Sequence, residues 1–452
     1  MRLSMITRHG KPRILLIYNP NGVIDRDIYL SARSSSFQLE SCEIETAKTS
    51  EGHTLEKLDL LEVARKINSF KPDFVLTING AGLDNDGLLS HLCAYMRLPM
   101  VLWYVDEPFI VPEWGQKFIP QTTVAFTFDR YYESRLKEWG INWVFTLPLG
   151  TNAERMLGYG NVEEHEADFS DTVSFVGTLD YEKIISLLKN ISQLWTSMPP
   201  EMADVLDATI YQYRLNPKRN IEDILKVCGH KNGVKFEFPD GIVKQMVLSF
   251  IDREASFRLR HEIVEALKPF DISVYGENFW KRVVGDEFYK GRINYYSPEI
   301  ANLYRSSKIN INISKYQLKT TVNQRVFDCP LCDGFLITDY KDDIEEYFDI
   351  DESIVVFQNP EDLKNKVAFY LDNEKMARKI VEKGKENILS RHTYSHRLDE
   401  MAKTVSHVKG EMFQAECKKI LEGSLPPGFE GFIALVKEAC RSDAEPVFQN
   451  TG

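Results

Sequence analysis

The stretch from Lys308 to Tyr340, KININISKYQLKTTVNQRVFDCPLCDGFLITDY, constrains the fold more than any other part of the chain. Ile309 to Ile313 alternates apolar and polar residues with the period of a strand. Ser314 to Thr320 is polar and turn-like. Thr321 and Gln324 stand in capping-box spacing, and Val322, Val326 and Cys329 recur at i, i+4 and i+7, which predicts a short helix starting at Thr321. Pro330 and Gly334 end it, and Phe335 to Thr338 reads as the next strand. A strand, loop, helix and strand in this order belong in a parallel sheet, with the loop at the carboxyl end of the first strand, where ligands of open α/β sheets bind. Arg325 and Asp328 lie three apart on the polar side of the helix. Unpaired N–H groups at a helix start suit a phosphate, and an exposed carboxylate two turns on can accept from two adjacent hydroxyls. Phosphate plus a ribose diol describes a nucleotide, whereas an i, i+3 ion pair on a solvated helix face is the plainer alternative.

At 452 residues the chain exceeds one core, so two domains with helical additions are expected. A formal charge of −12 argues against a nucleic-acid partner while allowing a local basic pocket. Seven scattered cysteines suggest a reducing compartment, and Cys329 and Cys332 read as packing rather than as half of a metal site. No metal site is expected. The first residues lack a signal-peptide core and no run has the length of a membrane span, so a cytoplasmic protein is expected.

Along the chain, Arg13 to Tyr18, Phe74 to Ile78, Met100 to Val105, Val124 to Phe128 and Trp143 to Leu147 are buried-strand candidates. Leu55 to Ser69 and Tyr131 to Trp139 read as helices. Asp106 follows a strand end, which makes it either a cleft-facing acid or base, or a turn residue ahead of Pro108. Gly158 to Ser170 reads as a linker. Val173 to Val176 starts a second sheet and ends at Gly177-Thr178. The region 181–257 reads as a helical insertion without evident chemistry. Glu262 to Leu267 is expected as a separate helix before a strand at Ile272 to Tyr275, closed by Gly276, and Ile293 to Tyr295 as a further strand. His392 reads as a structural group between two helices. Gly423 to Gly431 marks a break before a last helix.

Asn323-x-Arg325-x-Phe327-Asp328 followed by Gly334-Phe335-Leu336-Ile337-Thr338-Asp339 resembles the signature of the CgeB-like, spore maturation-type glycosyltransferases. The likeness continues through Glu345-x-x-Phe348, Val355-x-Phe357 and Arg391-His392-Thr393-Tyr394-x-x-Arg397. It implies an α/β, GT-B-like fold: two Rossmann-like domains with parallel sheets facing a cleft, here expected at 1–155 and 156–393, with a crossing helix and tail at 394–452. It implies metal-independent transfer of a sugar from a nucleotide diphosphate, UDP-linked by expectation, to an unidentified acceptor. Asp328 would hold the ribose, and Arg325 and Lys315 the diphosphate. Thr320 and Thr321 would supply donors, and Gly177, Thr178, Gly276, Asn294 and Tyr295 would line the pocket. Asp106 would act as the base or orient the acceptor. Thr320 and Thr321 stand where related retaining enzymes carry a glutamate, so the stereochemical course stays open. A nucleotide-sugar epimerase and a non-catalytic scaffold of the same fold remain as alternatives.

Overall fold

The computed structural model describes residues 11–33, 37–48, 54–108, 118–160, 171–234 and 237–442. The expected linker therefore lies largely outside the described residues. The chain forms two compact units, dividing at Leu147/Pro148 and again at Thr393/Tyr394.

The first unit is built on a six-stranded sheet, with β1 at Arg13–Tyr18, β2 at Gln38–Glu43, β5 at Phe74–Ile78, β6 at Met100–Tyr104, β7 at Thr123–Thr127 and β8 at Trp143–Thr146. Their order is β2-β1-β5-β6-β7-β8, every pairing parallel. β5, β6 and β7 are buried at every position, which is why they read as continuous apolar runs instead of alternating ones. A small hairpin, β3 at Glu45–Lys48 and β4 at Thr54–Lys57, takes the place of the expected start of a helix at Leu55. That helix begins at Leu60, because Asp59 accepts from the backbone N–H groups of Leu61 and Glu62 and so caps it there. The helices Tyr394–Val408, Glu411–Glu422 and Phe429–Ser442 belong to this unit and complete it from the far end of the chain. The segment from Tyr394 was expected to return to the first domain.

The second unit carries β9 at Val173–Val176, β10 at Ile272–Tyr275, β11 at Tyr289–Gly291, β12 at Ile309–Asn312, β13 at Leu336–Asp339 and β14 at Val355–Phe357. Their order is β11-β10-β9-β12-β13-β14, again wholly parallel. One face packs Val173, Phe175, Ile309, Ile311 and Val355 on Ile263, Val264 and Leu363. The other packs Leu336 and Val356 on Val326, Phe327 and Ile344. Two Rossmann-like sheets with helical additions, the fold class expected, are present.

Three local expectations change. The expected strand at Ile293 to Tyr295 is a loop, and the strand lies earlier, at β11. Glu262 to Leu267 is the end of one 27-residue helix, Gly241–Leu267, capped by Asp240. The helix after β12 starts at Arg325, not Thr321. Gln324 takes the N-cap position without a side-chain cap bond, and Thr321 Oγ1 pairs with the Tyr347 hydroxyl. The insertion of helices Tyr181–Leu194, Met202–Leu215 and Ile221–Lys231, closed by the first half of Gly241–Leu267, has its own core around Ile210, Tyr213, Val247 and Ile251.

Candidate functional site

The carboxyl ends of β9 and β12 in the second unit bring together several charged side chains, of which Arg260 and Asp180 are buried. Arg260, on the helix Gly241–Leu267, is 5% exposed. Its Nη1 donates to the Thr178 carbonyl and its Nε and Nη2 to the Ile313 carbonyl at 3.2 and 2.8 Å. Those partners are neutral. Burial, reinforced by the nearby Arg325, pushes its pKa down to about 10, which still leaves a cation at neutral pH. Arg325 donates to Asn312 Oδ1 at 2.9 Å, and its Nε meets the Tyr304 hydroxyl at 3.4 Å. Asn312 also accepts from Asn323 Nδ2, so the end of β12 aims the Arg325 fork. Lys315 donates to Asp180 Oδ2 at 2.6 Å, and Arg253 reaches the same oxygen at 2.7 Å. Burial and then Arg260 push the Lys315 pKa down, against the pull of Asp180. Asp180 is driven up by burial, yet Lys315 and Arg253 hold it well below the ordinary carboxylate range. Lys315 and Arg253 thus bond one strongly ionised carboxylate directly, Arg260 lies within reach of its charge, and Arg325 stands beside Arg260.

The glycines at this edge have structural reasons of their own. A Cβ on Gly276 would stand 2.1 Å from the Gly177 carbonyl, so the β9 and β10 ends meet only because that side chain is missing. The same carbonyl accepts from Trp280 Nε1. A Cβ on Gly177 would meet the Phe175 ring. Thr178 Oγ1 donates to Asp180. At the start of the helix Tyr181–Leu194, the N–H groups of Leu179 and Tyr181 donate to Glu277 Oε1.

Asp328 departs from its expected setting. It is wholly buried, in the first turn of its helix, and its two oxygens accept from the Thr151 and Tyr295 hydroxyls. The expectation of an exposed helix position is corrected: Val326 and Phe327 turn this short helix into the core and carry Asp328 inward with them. Tyr295 is held from behind by Arg155, which donates to its carbonyl and stacks over its ring at 5.4 Å. Asn294 Oδ1 accepts from the Tyr296 N–H and shapes the turn. Thr320 Oγ1 donates to Asp343. Thr320 and Thr321 are both buried. Cys329 and Cys332 are buried thiols with pKa values raised by burial, in keeping with packing. His392 stacks on Phe327 and Phe348.

In the first unit, Asp106 stands just beyond β6, half-buried. Asn79, at the end of β5 with a left-handed φ of 51°, donates from Nδ2 to Asp106 Oδ2 at 2.9 Å. Its Oδ1 accepts from the N–H groups of Val105 and Asp106. Asparagine tolerates that backbone better than most residues, and here its side chain clamps two strand ends.

Sequence reasoning singled out Lys315 and Arg325 and missed Arg260. The signal was present: Ser256, Arg260, Ile263, Val264 and Leu267 share the buried side of one helix, and an arginine in such a set requires a polar explanation. Among the described residues, no group of three or more His, Cys, Asp or Glu side chains is placed to hold a metal, and no helix is long and apolar enough to cross a membrane.

The chain is 21% identical over 381 residues to an uncharacterized protein of Aquifex aeolicus, covering 80% of this chain and 90% of that one. Among solved structures, it is similar to T4 phage BGT in complex with UDP-glucose at a TM-score of 0.45 and 8% identity, covering 87% of this chain and 99% of the other. Anabaena HepE in complex with UDP aligns at a TM-score of 0.41 and 9% identity, over 88% of this chain and 100% of that one. Residues 253–403, from the middle of the helix that carries Arg260 into the helix that begins at Tyr394, match the glycosyl transferase-like family.

Proposed function

We propose that the protein is a glycosyltransferase that binds a nucleoside-diphosphate sugar in its second unit and passes the sugar to an acceptor. The observation that carries this reading is the Arg260, Arg325 and Lys315 cluster at the ends of β9 and β12. Burying like charges side by side is unfavourable, and a diphosphate is the ligand class that offsets it. The same cations would stabilise the charge that develops on the leaving diphosphate as the glycosidic bond breaks, the task for which other transferases use a metal. Lys315 and Arg325 would face the phosphates with Arg260 behind them, and Gly177, Thr178, Gly276, Asn294 and Tyr295 would frame the pocket. Asp328 would reach the ribose by exchanging one of its two internal hydroxyl partners for a ribose hydroxyl. Asp106, oriented by Asn79, is the group we assign to accept or steer the acceptor proton. The match of residues 253–403 to the glycosyl transferase-like family supports the reading, since it spans Arg260, Lys315, Arg325 and Asp328.

The test is calorimetric titration with UDP, GDP and dTDP, followed by mass analysis after incubation with the matching donor sugars. One nucleotide should bind, and its donor should be slowly hydrolysed in the presence of EDTA. Absence of binding to any nucleoside diphosphate would overturn the reading. Conversion of the donor to its epimer would replace transfer with epimerisation.

A further inference from the structure

The helix Gly241–Leu267 presents three buried polar side chains at four-residue intervals, Asp252, Ser256 and Arg260, each about 5% exposed. Residues four apart fall on one helix face, so the three form a single polar row. The row meets the loop after β12 in opposite order and at three-residue steps. Arg260 donates to the Ile313 carbonyl, Ser256 Oγ accepts from the Tyr316 N–H at 3.0 Å, and Asp252 faces Lys319. The last contact runs through a hydroxyl. Lys319 Nζ donates to the Tyr213 hydroxyl, Tyr213 donates to Asp252 Oδ1 at 2.7 Å, and the Lys319 ammonium stands 3.9 Å from that same oxygen. The ammonium also lies 4.6 Å from the centre of the Tyr213 ring, and the Tyr316 ring packs on Tyr213 at 5.3 Å.

A buried ion pair is weak evidence for stability, since apolar residues of the same size often do as well. Its use is a fixed geometry. The loop held by this row contains Lys315, one residue before Tyr316 and four before Lys319. We propose that the helical insertion is the seat of this loop, and that Lys319, Tyr213, Asp252 and Ser256 are positioning residues that hold the Lys315 ammonium at the diphosphate. The proposal rests on the donor-site reading above, and it gives the insertion, which carries no reacting group of its own, a role in that site.

The test compares UDP and uridine binding by calorimetry in the full chain. Lys319→Met alone leaves Asp252 buried without its cation and can unfold the insertion, so the informative variant is Lys319→Met with Asp252→Asn, which removes both charges. Ser256→Ala is a milder second variant. The neutralised pair should weaken UDP by about tenfold while leaving uridine unchanged, because only the phosphate partner moves. On a Lys315→Met background it should add nothing further, since it acts through Lys315. Wild-type UDP affinity in the folded neutralised pair would overturn the proposal. So would equal losses for UDP and uridine, or an additive loss on the Lys315→Met background, either of which marks a merely structural role. If Arg260→Met weakens UDP and Lys315→Met does not, the donor reading stands and the loop proposal falls. If neither variant weakens UDP, both fall.

Discussion

Two sheets of six parallel strands end in very different chemistry. At the carboxyl edge of the first, the carboxylate of Asp106 is steadied by a neutral amide, Asn79. At the carboxyl edge of the second, Lys315 and Arg253 bond Asp180, with Arg260 near it and Arg325 beside Arg260. A parallel sheet delivers loops to that edge whatever the sequence, so the architecture alone sets where a site can be, and the side chains decide which kind. An oriented carboxylate suits proton acceptance or hydroxyl alignment. A cation cluster suits an anionic ligand, and under the proposed function the two edges would take different tasks.

The contrast is most exposed at Asp106. Asp106→Asn retains an acceptor for Asn79 but cannot take a proton. Release of UDP from the donor sugar should slow by roughly 100-fold or more, with UDP affinity unchanged. A changed UDP affinity with normal turnover would break the division. Arg260→Met tests the opposite edge. Arg260 stands behind the phosphates and acts through its charge and not a direct bond, so UDP affinity should drop by about tenfold, as read by calorimetry. An effect on turnover alone would place Arg260 outside the donor site.

These two residues also show what could be read from the chain. The place of Asp106 just beyond a strand was legible because the apolar run from Met100 to Tyr104 marks that strand. Both Rossmann-like sheets were legible for the same reason, as period and burial coincide in runs such as Arg13 to Tyr18. Arg260 was legible as a buried-face arginine in need of polar partners, but the partners were not, because the carbonyls of Thr178 and Ile313 lie 82 and 53 positions away. The start of the helix at Arg325 was misplaced because Thr321 and Gln324 imitate a capping box. Only the folded chain shows that Tyr347 takes the threonine hydroxyl. Asp328 looked exposed from its helical spacing, since a seven-residue helix packed on both sides has no solvated face.

Asp328 gives the next test, and it separates a ligand role from a structural one. Asp328→Ala leaves the Thr151 and Tyr295 hydroxyls without their acceptor in a dry interior, at a cost of about 1–3 kcal/mol. Thermal unfolding should fall by several degrees, and Asp328→Asn, which keeps one acceptor, by less. If the carboxylate also reaches ribose, wild type should prefer UDP over 2′-deoxy-UDP, and Asp328→Asn should lose that preference. A preference that survives in Asp328→Asn would confine this carboxylate to the fold and sharpen the second edge to its cations alone.

The smallest effect is a pH dependence confined to the second edge. Burial and the neighbouring Arg260 lower the Lys315 pKa below the ordinary lysine value of 10.5. A lysine with a depressed folded-state pKa loses its proton earlier as pH rises. A diphosphate beside it favours the charged form and raises that pKa again, so UDP binding above neutral pH takes up a fraction of a proton. Affinity should therefore decline as pH climbs through the lowered Lys315 pKa, by less than the tenfold per unit that full linkage allows. Calorimetry in two buffers of different ionisation enthalpy measures the proton directly. Asp180 does not confuse the result, because its depressed pKa keeps it ionised throughout this range, and its stabilising pair is lost only as pH falls far below the ordinary carboxylate value. In Lys315→Arg the proton uptake should shrink while the charge remains, leaving only the share of Arg260, whose pKa is lowered to about 10. Uptake undiminished in Lys315→Arg would assign the whole proton to another group and remove Lys315 from the cluster that meets the phosphate.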